Sequence, residues 1–271
     1  MYHKNKPLGL ILGGGLLTKV LIEQCKKKKI NFFIISIDNN FNKEFGQPDL
    51  VISYDCIGNI FKYLYKNKIR QVVFLGKVEK KKFFKIRPNL ITLYYLIKLI
   101  FFYNKGDGKL INKIINIFLK KKIDIIDPRV FLKDNLCNKK YNNLSKFKQN
   151  LTSRKINEYF LLAKKFGKKD LGQAVIISKD KILLAEDRKG TDFLIKKFKT
   201  LNIKESAYLV KVSKPNQDLN IDLPTIGPST IENMVKSNIQ GLIVESKKTL
   251  IENPVLTFRI IKKYKLLFYA V

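Results

Sequence analysis

Lys211, Lys214, Gln217, Asp218, Asp222 and Thr225 fall within 15 residues of one another, on a run punctuated by Pro215, Pro224 and Gly227. Lysines in such a run can hold an anion, and carboxylates can hold a metal or activate water. The preceding stretch, Ala207 to Ser213, alternates and is β-branched, which predicts a strand. The following stretch opens with Ser229 and Thr230, carries Glu232, and predicts a helix. A polar loop between a strand and a helix is where α/β proteins place chemistry. Asp222 could instead close a local Asx-turn, but two lysines, two prolines and a second carboxylate beside it favour function.

Composition removes most alternatives. The only histidine, His3, sits at a terminus expected to fray, and without an internal histidine no Ser-His-Asp or Cys-His machinery and no histidine-based zinc site is expected. Cys25, Cys56 and Cys137 lie 31 and 81 residues apart, which matches no metal knuckle or redox pair. Reduced, buried thiols in a cytoplasmic protein are expected. Any metal should be hard and oxygen-bound, with Mg²⁺ the default. The formal net charge is +32, but of 54 basic residues six are Arg, leaving 48 Lys. Nucleic-acid surfaces favour arginine's forked donors, and no helix-turn-helix, zinc finger or RNA-recognition signature is present. No nucleic-acid partner is expected; the charge would still attract anionic substrates and an anionic membrane face. Residues 1–7 show no apolar core followed by a cleavage site, so no signal peptide is expected. The greasiest segment, Leu90 to Tyr103, is 14 residues interrupted by Lys98. A bilayer core of roughly 30 Å needs more, so a buried or interfacial helix is expected.

These residues must be positioned by an α/β framework. Apolar strands at 8–12, 31–38, 49–53, 70–76 and 123–127 alternate with helices at 16–28, 59–67, 90–103 and from 108 to about 121. That pattern predicts a parallel, doubly wound, Rossmann-like sheet over residues 1–134. Residues 135–150 are rich in Asn, Lys and Ser and read as a linker. Residues 151–271 read as a mixed α/β domain. It opens with a helix at 154–166 and a hairpin around Lys179-Asp180, and continues with strands at 207–213, 241–246 and 266–270.

Gly13, Gly14 and Gly15 follow the first strand and precede a helix, where backbone amides could cradle a phosphate. Asp38 ends the second strand, the place of a ribose-binding acid in dinucleotide domains. Thr18 stands where a G-x-G-x-x-G run needs its last glycine, which weakens an NAD(P)-dependent oxidoreductase reading. Gly76 and Lys77 sit at the carboxyl end of a strand, where ligands bind in such sheets. Asp107 lies in a glycine turn before a helix. Thr191 and Asp192 belong to a charged run, Glu186 to Asp192, that starts another helix and could simply cap it.

Asp222-Leu-Pro-Thr-Ile-Gly227, Lys211-Val-Ser-Lys-Pro-Asn-Gln-Asp218, Gly190-Thr-Asp192 and Asp170-Leu-Gly-Gln-Ala-Val175 occur here in one order and spacing. Together with Gly13-Gly-Gly15 and Gly76-Lys77-Val78, they make the chain resemble the LpxI-type UDP-2,3-diacylglucosamine pyrophosphatases of lipid A biosynthesis. The resemblance covers nearly the full length. It implies Mg²⁺-dependent hydrolysis of UDP-2,3-diacylglucosamine to UMP and 2,3-diacylglucosamine 1-phosphate (lipid X), and two domains with a ligand chamber between them. It leans toward water attack at the β-phosphorus, and it maps the family's essential aspartate onto Asp222. Three positions depart from the family's pattern: Thr18 replaces a proline, Gly108 an acid, and Lys189 an acid.

The residue chemistry gives roles consistent with that resemblance. Asp222 would bind the metal or orient the water, with Asp192 or Asp218 assisting. Asp222 and Asp218 are the candidate metal ligands, and Asp222, Asp192 and Lys214 the candidate catalytic set. Lys211, Lys214 and Lys77 would clamp phosphate oxygens, and Gly13 to Gly15 would approach the phosphate or uridine. Gly76, Gln173, Thr191, Gln217 and Thr225 complete the expected substrate contacts. Peripheral contact with the inner membrane surface is expected, and the oligomeric state, monomer or homodimer, stays open. The rival readings are the oxidoreductase and a non-catalytic anion or nucleic-acid binder; the second would leave the Asp222 loop unexplained.

Overall fold

The computed structural model describes residues 2–38, 40–78, 86–103, 107–144, 151–168, 172–187, 189–203, 205–214 and 218–271; the side chains of 100–103 and 107 lie outside the description. It divides into two units, Met1–Lys133 with Asp218–Asp222, and Asp134–Gln217 with Leu223–Val271.

In the first unit, strands β1 (Leu8–Leu12), β2 (Phe32–Ile37), β3 (Leu50–Ile52), β4 (Gln71–Leu75) and β5 (Asp124–Ile125) form a parallel sheet of order β3-β2-β1-β4-β5. Helix α1 (Leu16–Lys27) joins β1 to β2, and α2 (Ile60–Lys66) precedes β4. Every residue of β1 is buried, as a central parallel strand covered on both faces requires. The strand order builds outward from β1 to β3, then returns to place β4 on the other side of β1. The expected doubly wound sheet is present, and its direction switches between β1 and β4, the crevice where such sheets bind ligands.

Chain crossing at that switch point depends on glycine. A Cβ on Gly13 would meet the Lys77 carbonyl oxygen at 2.4 Å. Gly76 has φ +97°, and a Cβ there would meet Gly13, Gly14 and the Thr18 methyl at 2.8 Å. Thr18 is fully buried, and its hydroxyl donates to the Gly15 carbonyl over 2.7 Å. Its side chain fills the space beneath Gly76, so the missing third glycine of the dinucleotide pattern is a packed contact.

Helix α3 (Leu90–Tyr103) is followed by α4 (Asp107–Lys120), and residues 104–106, within the predicted turn, lie outside the described residues. The first turn of α3 is pinned: Thr92 is fully buried and its hydroxyl accepts from the Gly58 amide, while the Asn89 side chain accepts from the Thr92 amide. Tyr95 packs on Phe61. Leu90, Ile91, Leu93, Tyr94 and Ile97 are exposed, Leu90 to 85%. The helix is therefore anchored on one side, and its outward side is apolar except for the exposed Lys98, which bonds the Tyr94 hydroxyl. No helix among the described residues is long and apolar enough to cross a membrane.

In the second unit, β6 (Ala174–Ser178), β7 (Lys181–Ala185), β8 (Ala207–Lys211), β10 (Ile239–Val244) and β12 (Leu267–Ala270) form a mixed sheet of order β12-β10-β8-β6-β7. The pairs β8–β10 and β10–β12 are parallel, and β6 runs antiparallel to β7 and β8. Helix α5 (Ser153–Gly167) buries Ile156, Tyr159 and Ala163 in a cluster with Val175, Ile177, Tyr208, Val210 and Ile243. The alternate residues Ala174, Ile176, Leu209 and Leu242 pack in a second cluster with α6 (Thr191–Thr200), α7 (Pro228–Lys236) and α8 (Pro254–Lys263). Side chains on successive strand positions point to opposite faces, so both faces of this sheet are covered. A short parallel pair, β9 (Thr225–Ile226) and β11 (Leu250–Ile251), stands apart.

Residues 135–144, read as the head of a linker, belong to this second unit. The Asn142 side chain exchanges hydrogen bonds with the Ala270 N–H (2.7 Å) and C=O (3.1 Å). Asn143 accepts from the Phe268 N–H (2.8 Å) and donates to the Leu266 C=O (2.9 Å). These amides satisfy the open side of edge strand β12. Residues 145–150 lie outside the described residues.

Gly13→Ala and Gly76→Ala should each destabilise the protein by about 2 kcal/mol or more, because backbone must move. Gly14→Ala, whose added Cβ would meet the Asn40 carbonyl at 3.1 Å, should cost less. Urea unfolding of the three variants checks the order.

Candidate active site

The first unit brings together two of the stretches expected to touch substrate. The Gly13 amide donates to Leu75 O (2.9 Å), the Gly14 amide to Lys77 O (2.8 Å), and the Lys77 amide back to Gly14 O (2.8 Å). The glycine turn after β1 is thus knitted to the Gly76-Lys77 turn after β4. The amides of Gly13 and Gly14 are committed to Leu75 and Lys77, so N–H groups of this turn for a phosphate could come only from Gly15 onward. Lys77 is exposed beside this crossing. Asp38 directly follows β2 at φ 49°, its amide donating to Ile52 O.

In the second unit, topology collects the other candidates at one edge of the sheet. Because β6 is antiparallel to β7 and β8, its start lies beside their ends, and β10 ends at the same edge. Gln173 precedes β6, Glu186 follows β7, Val212 and Ser213 follow β8, and Glu245 follows β10. Glu186, 6% exposed, accepts from the amides of Gln173 (2.6 Å) and Ala174 (3.0 Å) through Oε2 and from the Thr191 hydroxyl (2.7 Å) through Oε1. One buried carboxylate therefore places both Gln173 and Thr191. The Gln173 carbonyl in turn accepts from the Val212 amide. Asp192, in the first turn of α6, accepts a long bond from the Asn233 side chain of α7 (3.4 Å).

Lys211 ends β8, is 6% exposed, and donates its ammonium to the Thr225 carbonyl over 2.8 Å. The Thr225 hydroxyl donates to Leu223 O. Lys214 is half-buried, and Gln217 lies outside the described residues, as do Asp170 and Leu171. Asp218 to Asp222 form one tight turn. Asp218 Oδ1 accepts from the Asn220 amide (2.8 Å), and the Asp222 amide donates to Asp218 O (3.0 Å). That turn groups with the first unit, whereas Lys211, Lys214 and Thr225 belong to the second.

The structure also reveals a charged cluster that the residue types alone did not disclose. Glu245, buried at the end of β10, receives the Ser213 amide (3.0 Å), the Ser213 hydroxyl (2.6 Å) and Lys164 Nζ (2.8 Å) on Oε2. Lys248 Nζ donates to Oε1 at 2.7 Å. Lys164 comes from α5 and also donates to the Ser213 carbonyl. Burial by itself would push the Glu245 carboxyl up, but the bonds from Lys164, Lys248 and Ser213 outweigh it and hold the group at about 2. The available signal was an acid directly after an apolar strand, at the strand end where α/β sites sit.

Among the described residues no group of three or more His, Cys, Asp or Glu side chains could cage a metal. Mg²⁺ is commonly held by one or two carboxylates with water and substrate phosphate completing the shell. The hard oxygens of Asp218 and Asp222, on a single turn, fit that requirement.

Both halves of the chain match parts of one family. Residues 7–135 match the LpxI N-terminal domain and residues 143–269 the LpxI C-terminal domain. The chain belongs to the LpxI family. It is 25% identical over 255 residues, 91% of this chain and 90% of the other, to the UDP-2,3-diacylglucosamine pyrophosphatase LpxI of Caulobacter vibrioides.

Because the folded Glu245 value lies below the ordinary 4.5, its stabilisation is present above about pH 4.5 and lost as pH falls toward 2. The stability difference between wild type and Glu245→Gln should hold level in urea unfolding from pH 6 to about pH 4.5 and then shrink as the pH is lowered to 3. A difference that stays constant down to pH 3 would contradict the ionised, donor-held carboxylate.

Proposed function

We propose that the chain hydrolyses the diphosphate of UDP-2,3-diacylglucosamine to UMP and 2,3-diacylglucosamine 1-phosphate, a step of lipid A synthesis. The observation that carries this reading is membership of the LpxI family over both domains, with Asp222 in its D-L-P-T-I-G run.

The reaction adds water across one P–O–P bridge. The water oxygen bonds one phosphorus, the bond from that phosphorus to the bridging oxygen breaks, and the bridging oxygen leaves with the other phosphate. Asp222 accepts the water's proton or aligns its lone pair. Asp218 and Asp222 would hold Mg²⁺, which supplies neutralisation of charge on the diphosphate oxygens. Lys214 and the exposed Lys77 add fixed positive charge to those oxygens. Lys211 spends a hydrogen bond on Thr225, so it also holds the far end of the loop in place. Gln173 and Thr191, fixed by Glu186, and the Gly13 to Gly15 turn serve substrate positioning.

Two outcomes test the reading. UMP release by wild type should require Mg²⁺, stop with EDTA, and fall by about 10³-fold or more in Asp222→Ala, the scale of losing a principal catalytic group. A folded wild-type protein that releases no UMP would overturn it.

We place the working protein in the cytoplasm, peripherally bound at the membrane's inner face. The outward side of α3 is mostly apolar with one lysine, Lys98, and the chain carries a net charge of +32. Apolar insertion and attraction to anionic lipid act together at such surfaces. Wild type should cosediment with vesicles containing anionic phospholipid, and the double variant Leu90→Glu/Ile97→Glu should lose most of that binding. Equal binding by both proteins would remove α3 from the contact.

A further inference from the structure

The chain leaves β8 through Val212, Ser213 and Lys214 and enters β9 through Leu223 and Pro224, and both of these ends are tied within the second unit. At the near end the Val212 amide donates to Gln173 O, and Ser213 gives its amide and hydroxyl to Glu245 Oε2 while its carbonyl accepts from Lys164. At the far end Lys211 donates to Thr225 O. The two ends also share a backbone route. The Thr249 amide donates to the Glu245 carbonyl at 3.2 Å, the next strand is β11, and the Leu250 amide donates to Pro224 O at 2.8 Å. Glu245 thus stands at the junction of both tethers.

Neutralising Lys164 and Lys248 would not by itself call for both donors of Ser213. A carboxylate that also takes an amide and a hydroxyl from one residue fixes that residue's backbone direction. We propose that Glu245 is a positioning residue: through Ser213 it sets the direction in which the chain leaves β8 toward Lys214, and the hydrolysis depends on that setting. This rests on the pyrophosphatase reading above.

The test uses Ser213→Ala, Glu245→Gln and Lys164→Met/Glu245→Gln, each assayed for UMP release, thermal midpoint and amide hydrogen exchange. Glu245→Gln should lower kcat by about tenfold or more with KM within about twofold, the pattern of an interaction used in the transition state. Ser213→Ala, a milder change, should lower kcat in the same direction. Exchange should quicken at Ser213 and Lys214 and stay unchanged within β8 and β10. Removing the stranded lysine in the double variant should restore the thermal midpoint but leave kcat low, which a merely structural role would not do. Recovery of kcat together with stability, or kcat within twofold of wild type in Glu245→Gln, would overturn the proposal. If wild type itself releases no UMP, the pyrophosphatase reading fails and with it the catalytic half; unchanged loop exchange in Glu245→Gln overturns the positioning half separately.

Discussion

An ionised carboxylate buried at the end of β10 is the constraint on which much of the second unit's site depends. Glu245 draws together α5 through Lys164, the start of the polar loop through Ser213, and the turn before β11 through Lys248. Taking a carboxylate out of water is costly, and the cost is offset here only because four donors converge on two oxygens. If one partner is lost, the remaining charges are left partly desolvated. The same carboxylate therefore specifies three backbone paths at once, and the turn it closes leads into the strand pair that holds Thr225.

The surrounding sheet makes that convergence possible. Antiparallel β6 turns the start of one strand toward the ends of β7, β8 and β10, so groups distant in sequence meet at one edge. Glu186 repeats the arrangement with neutral donors, joining Gln173 and Thr191. The first unit uses a different device. There, absent side chains at Gly13 and Gly76 let two strand-end turns hydrogen-bond directly.

Much of the fold was legible in the residues. Buried parallel strands read as apolar runs, and the Lys211–Gly227 stretch stood out through its prolines and charges. Glu245 was hidden because two of its partners, Ser213 and Lys164, lie 32 and 81 residues away, a separation no local pattern carries. Asn142 and Asn143 looked like linker residues because their role, hydrogen-bonding an edge strand 123 to 128 residues away, uses the same polar amides that loops use. Lys211 read as a phosphate clamp from its charge, while its bond to Thr225 depends on β9, a two-residue strand too short to show periodicity. For α3, apolarity was plain but exposure was not, since a helix apolar around most of its circumference gives no periodic signal of which side is covered.

The measurement that bears most directly on this account is a ³¹P NMR time course of wild-type protein with UDP-2,3-diacylglucosamine and Mg²⁺. The account predicts that the two diphosphate resonances decay together into two phosphomonoester resonances, one of them UMP. Diphosphate resonances that persist unchanged with folded protein would contradict it.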